Sequence, residues 1–257
     1  MDLGIKDQLF IVGGATSGLG KAVALALLAE EAKVIGIARS EDKLLALQEE
    51  MGDQLEILAG DLSQSSTIHR LLEQVGDRPL DGMLVNAGGP PAMSFLETKL
   101  EHWDEAYQKV LRWKVELTQA FLPKMIERQY GRIVYIESVS VKQPIENLVL
   151  SNSLRLGVVG FVKTLSQEIA NRGVNLNILG PGYHATPAMD RLFVKKSEIQ
   201  GISIEEARAA FERQTKVGKM GQAEDFASLA TWLLSPMSRY MTGQTITVDG
   251  GLVKGTF

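Results

Sequence analysis

Short apolar runs alternate with longer helical patterns along this chain. The runs occupy 8–12 (QLFIV), 33–38 (KVIGIA), 55–59 (LEILA), 82–86 (GMLVN), 132–137 (RIVYIE), 174–179 (VNLNIL) and 245–249 (TITVD). Most are continuously apolar, as parallel strands covered on both faces require. Between them, 19–30 is apolar at helical spacing, 41–51 is a charged helix and 65–75 a third. Strands alternating with helices predict an α/β fold: a doubly wound parallel sheet of about seven strands, flanked by helices, with right-handed crossovers.

No Pro/Ser-rich linker, low-complexity tract or repeat divides the sequence, so 1–257 reads as one domain. The only long break, about 183–221, begins GPGYHATP and contains the charged helical pattern SIEEARAAFERQ. It reads as a flap over a site beyond the strand ends, or as a surface excursion without a gating role.

Composition narrows the chemistry. Apolar residues make up 45% and charged residues 23%, ordinary for a soluble domain with a substantial core. The net charge of -4 gives no sequence-independent grip on nucleic acid. With no Cys and three His, a thiolate metal site, a disulfide framework and a cysteine nucleophile are excluded, and no metal is expected. The N-terminus has no basic stretch before an apolar one, and no window approaches 18 apolar residues, so a cytoplasmic protein without a membrane span is expected.

FIVGGATSGLGKAV places Gly14, Gly18 and Gly20 between the first strand and first helix, with Thr16, Ser17 and Leu19 among them. Glycines there allow a tight turn and let backbone N–H groups approach a pyrophosphate at the helix N-terminus. The context is that of a Rossmann-type nucleotide site. After the second strand, where an NAD enzyme often carries an acid for the ribose 2′-OH, the sequence has Arg39 and Ser40. An Arg pairs with a 2′-phosphate, which favours NADP(H) over NAD(H) unless Arg39 is simply solvated.

The G-x-x-x-G-x-G spacing, GDL at 60–62, VNAGG at 85–89, GRIVYIES at 131–138, GPGYHAT at 180–186 and TGQTITVDGG at 242–251 together resemble the short-chain dehydrogenase/reductase family, including its 3-oxoacyl-(acyl-carrier-protein) reductases. The resemblance implies that Asp61 and Leu62 lie beside the adenine, that Asn86, Ala87 and Gly88 line the cofactor, and that Pro181, Gly182 and Thr186 hold its nicotinamide end. It also implies four catalytic roles: a helical Asn, a Ser after the fifth strand, and Tyr-x-x-x-Lys on the following helix.

Ser138 matches the Ser, but Val110 stands at the Asn position, Ser151 at the Tyr and Arg155 at the Lys. The five tyrosines are followed at the fourth position by Leu111, Val134, Val139, Pro187 and Gln244, so the sequence contains no Tyr-x-x-x-Lys. Arg155 keeps a positive charge and donors for ribose hydroxyls. Ser151 is far less acidic than a phenol and reaches roughly 4 Å less far. A substitute acid would have to come from elsewhere; His184 in the flap is one candidate, against a solvated side chain. Glu137 and Glu146 read more simply as solvated loop or edge residues.

Two expectations follow: an NADP(H)-dependent oxidoreductase of a carbonyl or alcohol with an altered proton donor, or an NADP(H)-binding protein with little turnover, serving as sensor or assembly partner. A homo-oligomer, four chains by the family resemblance, is expected through Leu154, Val158, Val162 and Leu165, with Gly157 and Gly160 allowing close approach, and through the C-terminal TITVDGGLVKG. The same stripe serves equally well as intramolecular core.

Overall fold

Seven parallel strands form one sheet in the order β3-β2-β1-β4-β5-β6-β7 in a computed structural model that describes residues 2–256. The strands are β1 (Leu9–Gly13), β2 (Lys33–Ala38), β3 (Leu55–Ala59), β4 (Gly82–Val85), β5 (Gly131–Ile136), β6 (Val174–Pro181) and β7 (Thr245–Val248). Every predicted strand is present, with ends shifted by two residues or fewer. β1, β4 and β5 are buried at every position because helices cover both faces, which explains their continuous apolar character. β7 is half-buried throughout because it has a neighbour on one side only.

On one face pack α3 (Ser65–Val75), α5 (Trp113–Glu127) and α6 (Val149–Glu168), with Leu71, Trp113, Phe121, Val158 and Val162 in a common core. On the other, α1 (Gly18–Ala29) and α9 (Ala223–Leu234) cover the sheet through Val23, Leu27, Phe226 and Leu233. α2 (Glu41–Met51) adds Leu47 to that face, and α4 (Leu100–Tyr107) leads into α5 through a wide π-turn at Gln108–Arg112.

The assembly stripe is corrected here. Val158 and Val162 are wholly buried within the chain, and Leu154 and Leu165 pack against the same core. The outer face of α6 instead presents Leu156, which is exposed, together with Gly157 and Gly160.

The 183–221 segment holds two helices rather than one, α7 (Pro187–Gln200) and α8 (Ile204–Glu212). Pro187 opens α7 with its ring already at a helical φ, and Gly201 closes it in the left-handed region at φ 64°. Ser203 and Glu206 form a capping box on α8, each side chain accepting from the other's backbone N–H at 3.1 and 2.8 Å. Met189, Phe193, Ala207 and Met220 give this segment a small core of its own.

Trp113 is 1% exposed in the main core, and its indole N–H donates to the Lys109 carbonyl at 2.9 Å. Trp113→Ala should cost about 3–5 kcal/mol in urea unfolding. A loss below about 1 kcal/mol would show that this side chain is not a packing centre.

Candidate active site

The strand order reverses between β1 and β4, so the loops leaving their carboxyl ends diverge and open a crevice. A cleft of about 650 Å³ lies there. The β1–α1 turn contributes Gly14, Thr16, Ser17, Gly18 and Leu19; Arg39 and Ser40 come from the end of β2, Asp61 and Leu62 from β3, and Asn86, Ala87 and Gly88 from β4. Thr186, at the start of α7, closes the far side. A larger open depression of about 900 Å³ beside α2 is lined by Asp42, Glu49, Asp53 and Leu55. Leu55 begins β3, which puts that depression at the wrong end of the sheet for a ligand site of this architecture.

Close backbone approach builds the cleft. A methyl group on Gly20 would lie 2.4 Å from the Gly14 carbonyl oxygen, so only glycine lets α1 start against the turn. Gly14 N–H donates to the Ile37 carbonyl at 2.8 Å, and the Asn86 amide donates to the Gly13 carbonyl at 3.1 Å. These bonds tie the ends of β1, β2 and β4 together under the cleft. The floor is thus open backbone at a helix N-terminus, which fits a pyrophosphate.

Arg39 is exposed and has no ion-pair partner among the described residues. Lys43, one turn into α2, lines the same end, and Lys109 and Arg191 line the cleft further along. These three cations were missed in the sequence because each reads as an ordinary solvated charge. The Asp61 carboxylate accepts from the Ser63 N–H at 2.9 Å and so stabilises its own turn.

Some predicted cofactor residues serve the scaffold rather than the cleft wall. Gly20 lies behind the turn. Gly182 N–H donates to the Val248 carbonyl at 2.9 Å, joining the segment after Pro181 to β7. A methyl on Gly182 would come within 2.7 Å of the Asp249 backbone.

His184 is not at the cleft wall. Its ring is buried edge-on to Phe226, 5.8 Å between centroids, with Gly221 against it and the Gly182 carbonyl 3.3 Å from Nδ1. Burial pushes its pKa down, so the imidazole is a neutral packing group. This corrects the picture of a solvated flap side chain.

The four catalytic positions converge only in part. Ser138 follows β5, and its hydroxyl accepts from the Ser140 N–H at 3.1 Å. Ser151 is buried on α6, and its hydroxyl accepts from Arg155 Nε at 3.0 Å. Val110 is buried in the π-turn and belongs to the core.

Glu137 overturns its reading as a solvated residue. Its side chain is wholly buried, accepts from Arg155 Nη1 at 2.9 Å, and pairs through its other oxygen with Lys114 Nζ. Lys114 lies on α5, where its charge in an amphipathic pattern gave no sign that it points inward. Burial pushes the Lys114 ammonium down to about 8, against the pull of Glu137 and with Arg155 adding to the lowering. Glu146 is exposed, as expected.

The comparisons with known proteins agree with this geometry. A family profile described as enoyl-(acyl carrier protein) reductase matches residues 14–253. The 3-oxoacyl-acyl-carrier-protein reductase of Haemophilus influenzae is 31% identical over 96% of this chain and 99% of its own. The chain belongs to the short-chain dehydrogenase/reductase family. Among solved members of that family, an actinorhodin polyketide ketoreductase with NADPH is 30% identical, with a TM-score of 0.91 over 97% of this chain and 98% of that one. The L-sorbose reductase from Gluconobacter frateurii, complexed with NADPH and L-sorbose, shares the fold at a TM-score of 0.92 and 24% identity, covering 99% of this chain and all of that one.

The lowered pKa of Lys114 carries a definite sign. The unfolded chain holds that proton to the ordinary value of 10.5, whereas the folded one releases it from about 8. Between those values the unfolded state binds more protons, so stability rises with pH. Relative to Lys114→Met, the parent should gain roughly 2–3 kcal/mol between pH 7 and pH 10 in urea unfolding. Parallel stability curves would contradict this placement of the charge.

Proposed function

We propose that the protein is an NADP(H)-dependent oxidoreductase that interconverts a carbonyl and an alcohol, with 3-oxoacyl compounds as its substrate class. The observation that carries this reading is the glycine-floored cleft with the exposed, unpaired Arg39 at one end and Lys43 beside it. Arg39 and Lys43 take the 2′-phosphate, the β1–α1 turn takes the pyrophosphate, and Arg155 takes the nicotinamide ribose. When bound, the cofactor supplies a hydride equivalent. The kinship with 3-oxoacyl and polyketide ketoreductases supports the substrate class.

The chain's own contribution to the chemistry is electrostatic. Ser138 and Ser151 offer hydroxyls, and Arg155 a fixed positive charge, to a carbonyl oxygen that gains negative charge. Neither Ser151 nor Arg155 gives up a proton near neutrality, so the proton comes from solvent water. A second reading has its own support: with Val110 apolar and Ser151 in place of a phenol, the altered positions supply no general acid. On that reading the protein binds NADP(H) with little turnover and acts as a sensor or assembly partner.

Fluorescence titration with NADPH and NADH, followed by a screen of 3-oxoacyl thioesters and simple ketones by nicotinamide absorbance, decides between them. Binding with turnover supports the enzyme, and binding without turnover across the screen supports the second reading. Arg39→Ala should weaken NADPH at least about tenfold and leave NADH nearly unchanged, the loss of one charge-assisted contact. An equal loss for both cofactors would remove Arg39 as the discriminator.

We further propose a homotetramer, supported by the exposed Leu156 beside Gly157 and Gly160 on the outer face of α6 and by the open edge of β7. Sedimentation at micromolar concentration should give four times the mass of 28.1 kDa, and a monomer would count against it.

A further inference from the structure

Three charged side chains meet behind the cleft on three different elements. Lys114 comes from α5, Glu137 from the end of β5 and Arg155 from α6, and their side chains are 4%, 0% and 12% exposed. Glu137 uses both carboxylate oxygens, one on each cation. Arg155 is held at three points: Nη1 by Glu137, Nε by Ser151 at 3.0 Å, and Nη1 again by the Ile136 carbonyl at 3.5 Å. Its remaining nitrogen, Nη2, makes no hydrogen bond among the described residues and is not sealed from solvent. That nitrogen lies 3.0 Å from where a methyl on Gly89 would stand, and Gly89 lines the cleft.

Stability does not explain this arrangement. Replacing buried ion pairs by packed apolar groups is often neutral or stabilising, and here a second cation is buried beside the first. What the array does achieve is a single orientation for a long side chain that otherwise has many rotamers.

We infer that Glu137, itself anchored by Lys114, is the positioning residue for Arg155, fixing the guanidinium so that Nη2 is presented to the cleft beside Gly89 as a donor for the nicotinamide ribose. Glu137 touches no ligand; it acts through Arg155. The two cations also account for its burial: one charge holds the carboxylate down while the other is held by it. Arg155→Lys does not conserve the function, because a single ammonium on a flexible stem is drawn onto the Glu137 carboxylate and leaves nothing for the cleft.

The inference rests on the proposed NADP(H) site, and a double-mutant cycle on NADPH affinity separates the two. Nicotinamide fluorescence reports whether the ribose end is seated. Arg155→Ala should lower affinity about tenfold and quench the enhancement seen on binding. Glu137→Gln should do the same in the parent but change affinity less than about twofold in the Arg155→Ala background, because the two act as one unit. Since Glu137→Gln alone leaves two buried cations facing each other, Lys114→Met/Glu137→Gln serves as the folded control. Its melting temperature should stay near the parent's while NADPH affinity still falls about tenfold. Arg155→Lys should bind as poorly as Arg155→Ala. Losses that add in the Arg155→Ala background, or full NADPH affinity in the folded Lys114→Met/Glu137→Gln variant, would overturn the inference alone. A parent that binds no NADPH would overturn the cofactor reading and this inference with it.

Discussion

A parallel sheet covered by helices on both faces meets solvent only along its strand ends. Here β1, β4 and β5 are buried along their whole length, so nothing can bind against their faces. The crossover loops at the carboxyl ends diverge between β1 and β4, and the cleft is the gap they leave. Its depth depends on how closely α1 approaches the end of β1. The contact of 2.4 Å that a methyl on Gly20 would make with the Gly14 carbonyl shows how little room remains. Pull α1 back by one methyl group, and the N–H groups at its start no longer converge on the cleft.

Charge is distributed according to the same geometry. Arg39 stands at the open rim in water, where its charge is available to any anion of the right shape. Arg155 has the same chemistry in the opposite setting, with two nitrogens occupied and its charge balanced by Glu137. Lys114 completes the balance from beneath, its ammonium also lying 5.7 Å from the centre of the Trp113 ring. One arginine is a free receptor and the other is a fixed part, and burial alone separates them.

What could be read from the sequence divides along the same line. The seven strands were legible because burial on both faces leaves continuous apolar runs, and α2 and α3 have the bounds their patterns predict. The cleft loops were legible because their glycines and polar tips stand at the ends of those runs. Glu137 and Lys114 were not legible. A charged residue at the end of a strand or on a helix reads as solvated, since burial of a charge depends on a partner distant in sequence, here 23 residues away. His184 failed for the reverse reason: a His beside a Gly-rich turn suggests chemistry, and only Phe226, some 40 residues on, shows it to be packing. The stripe on α6 was read correctly as apolar, but the sequence cannot say whether a sheet or another chain covers it; for Val158 and Val162 the sheet does.

The altered positions are therefore coupled rather than independent losses. A serine at 151 leaves a hydroxyl where a ring would otherwise stand, and Arg155 fills that need by donating to it. An arginine at 155 carries more donors than the cleft can use, and Glu137 takes the surplus. A buried glutamate so placed requires compensation on its far side, and Lys114 supplies it. Each substitution makes sense given the next, which is what a rebuilt site looks like and what random decay does not produce. General acid catalysis contributes about 10²- to 10⁴-fold, and a single well-placed donor to a developing oxyanion about 10²- to 10³-fold. A site that surrenders the first and organises a buried cation with two serines around the second keeps a comparable share of the driving force. Its positive charge, unlike that of a phenol and ammonium couple, stays with a guanidinium that does not titrate.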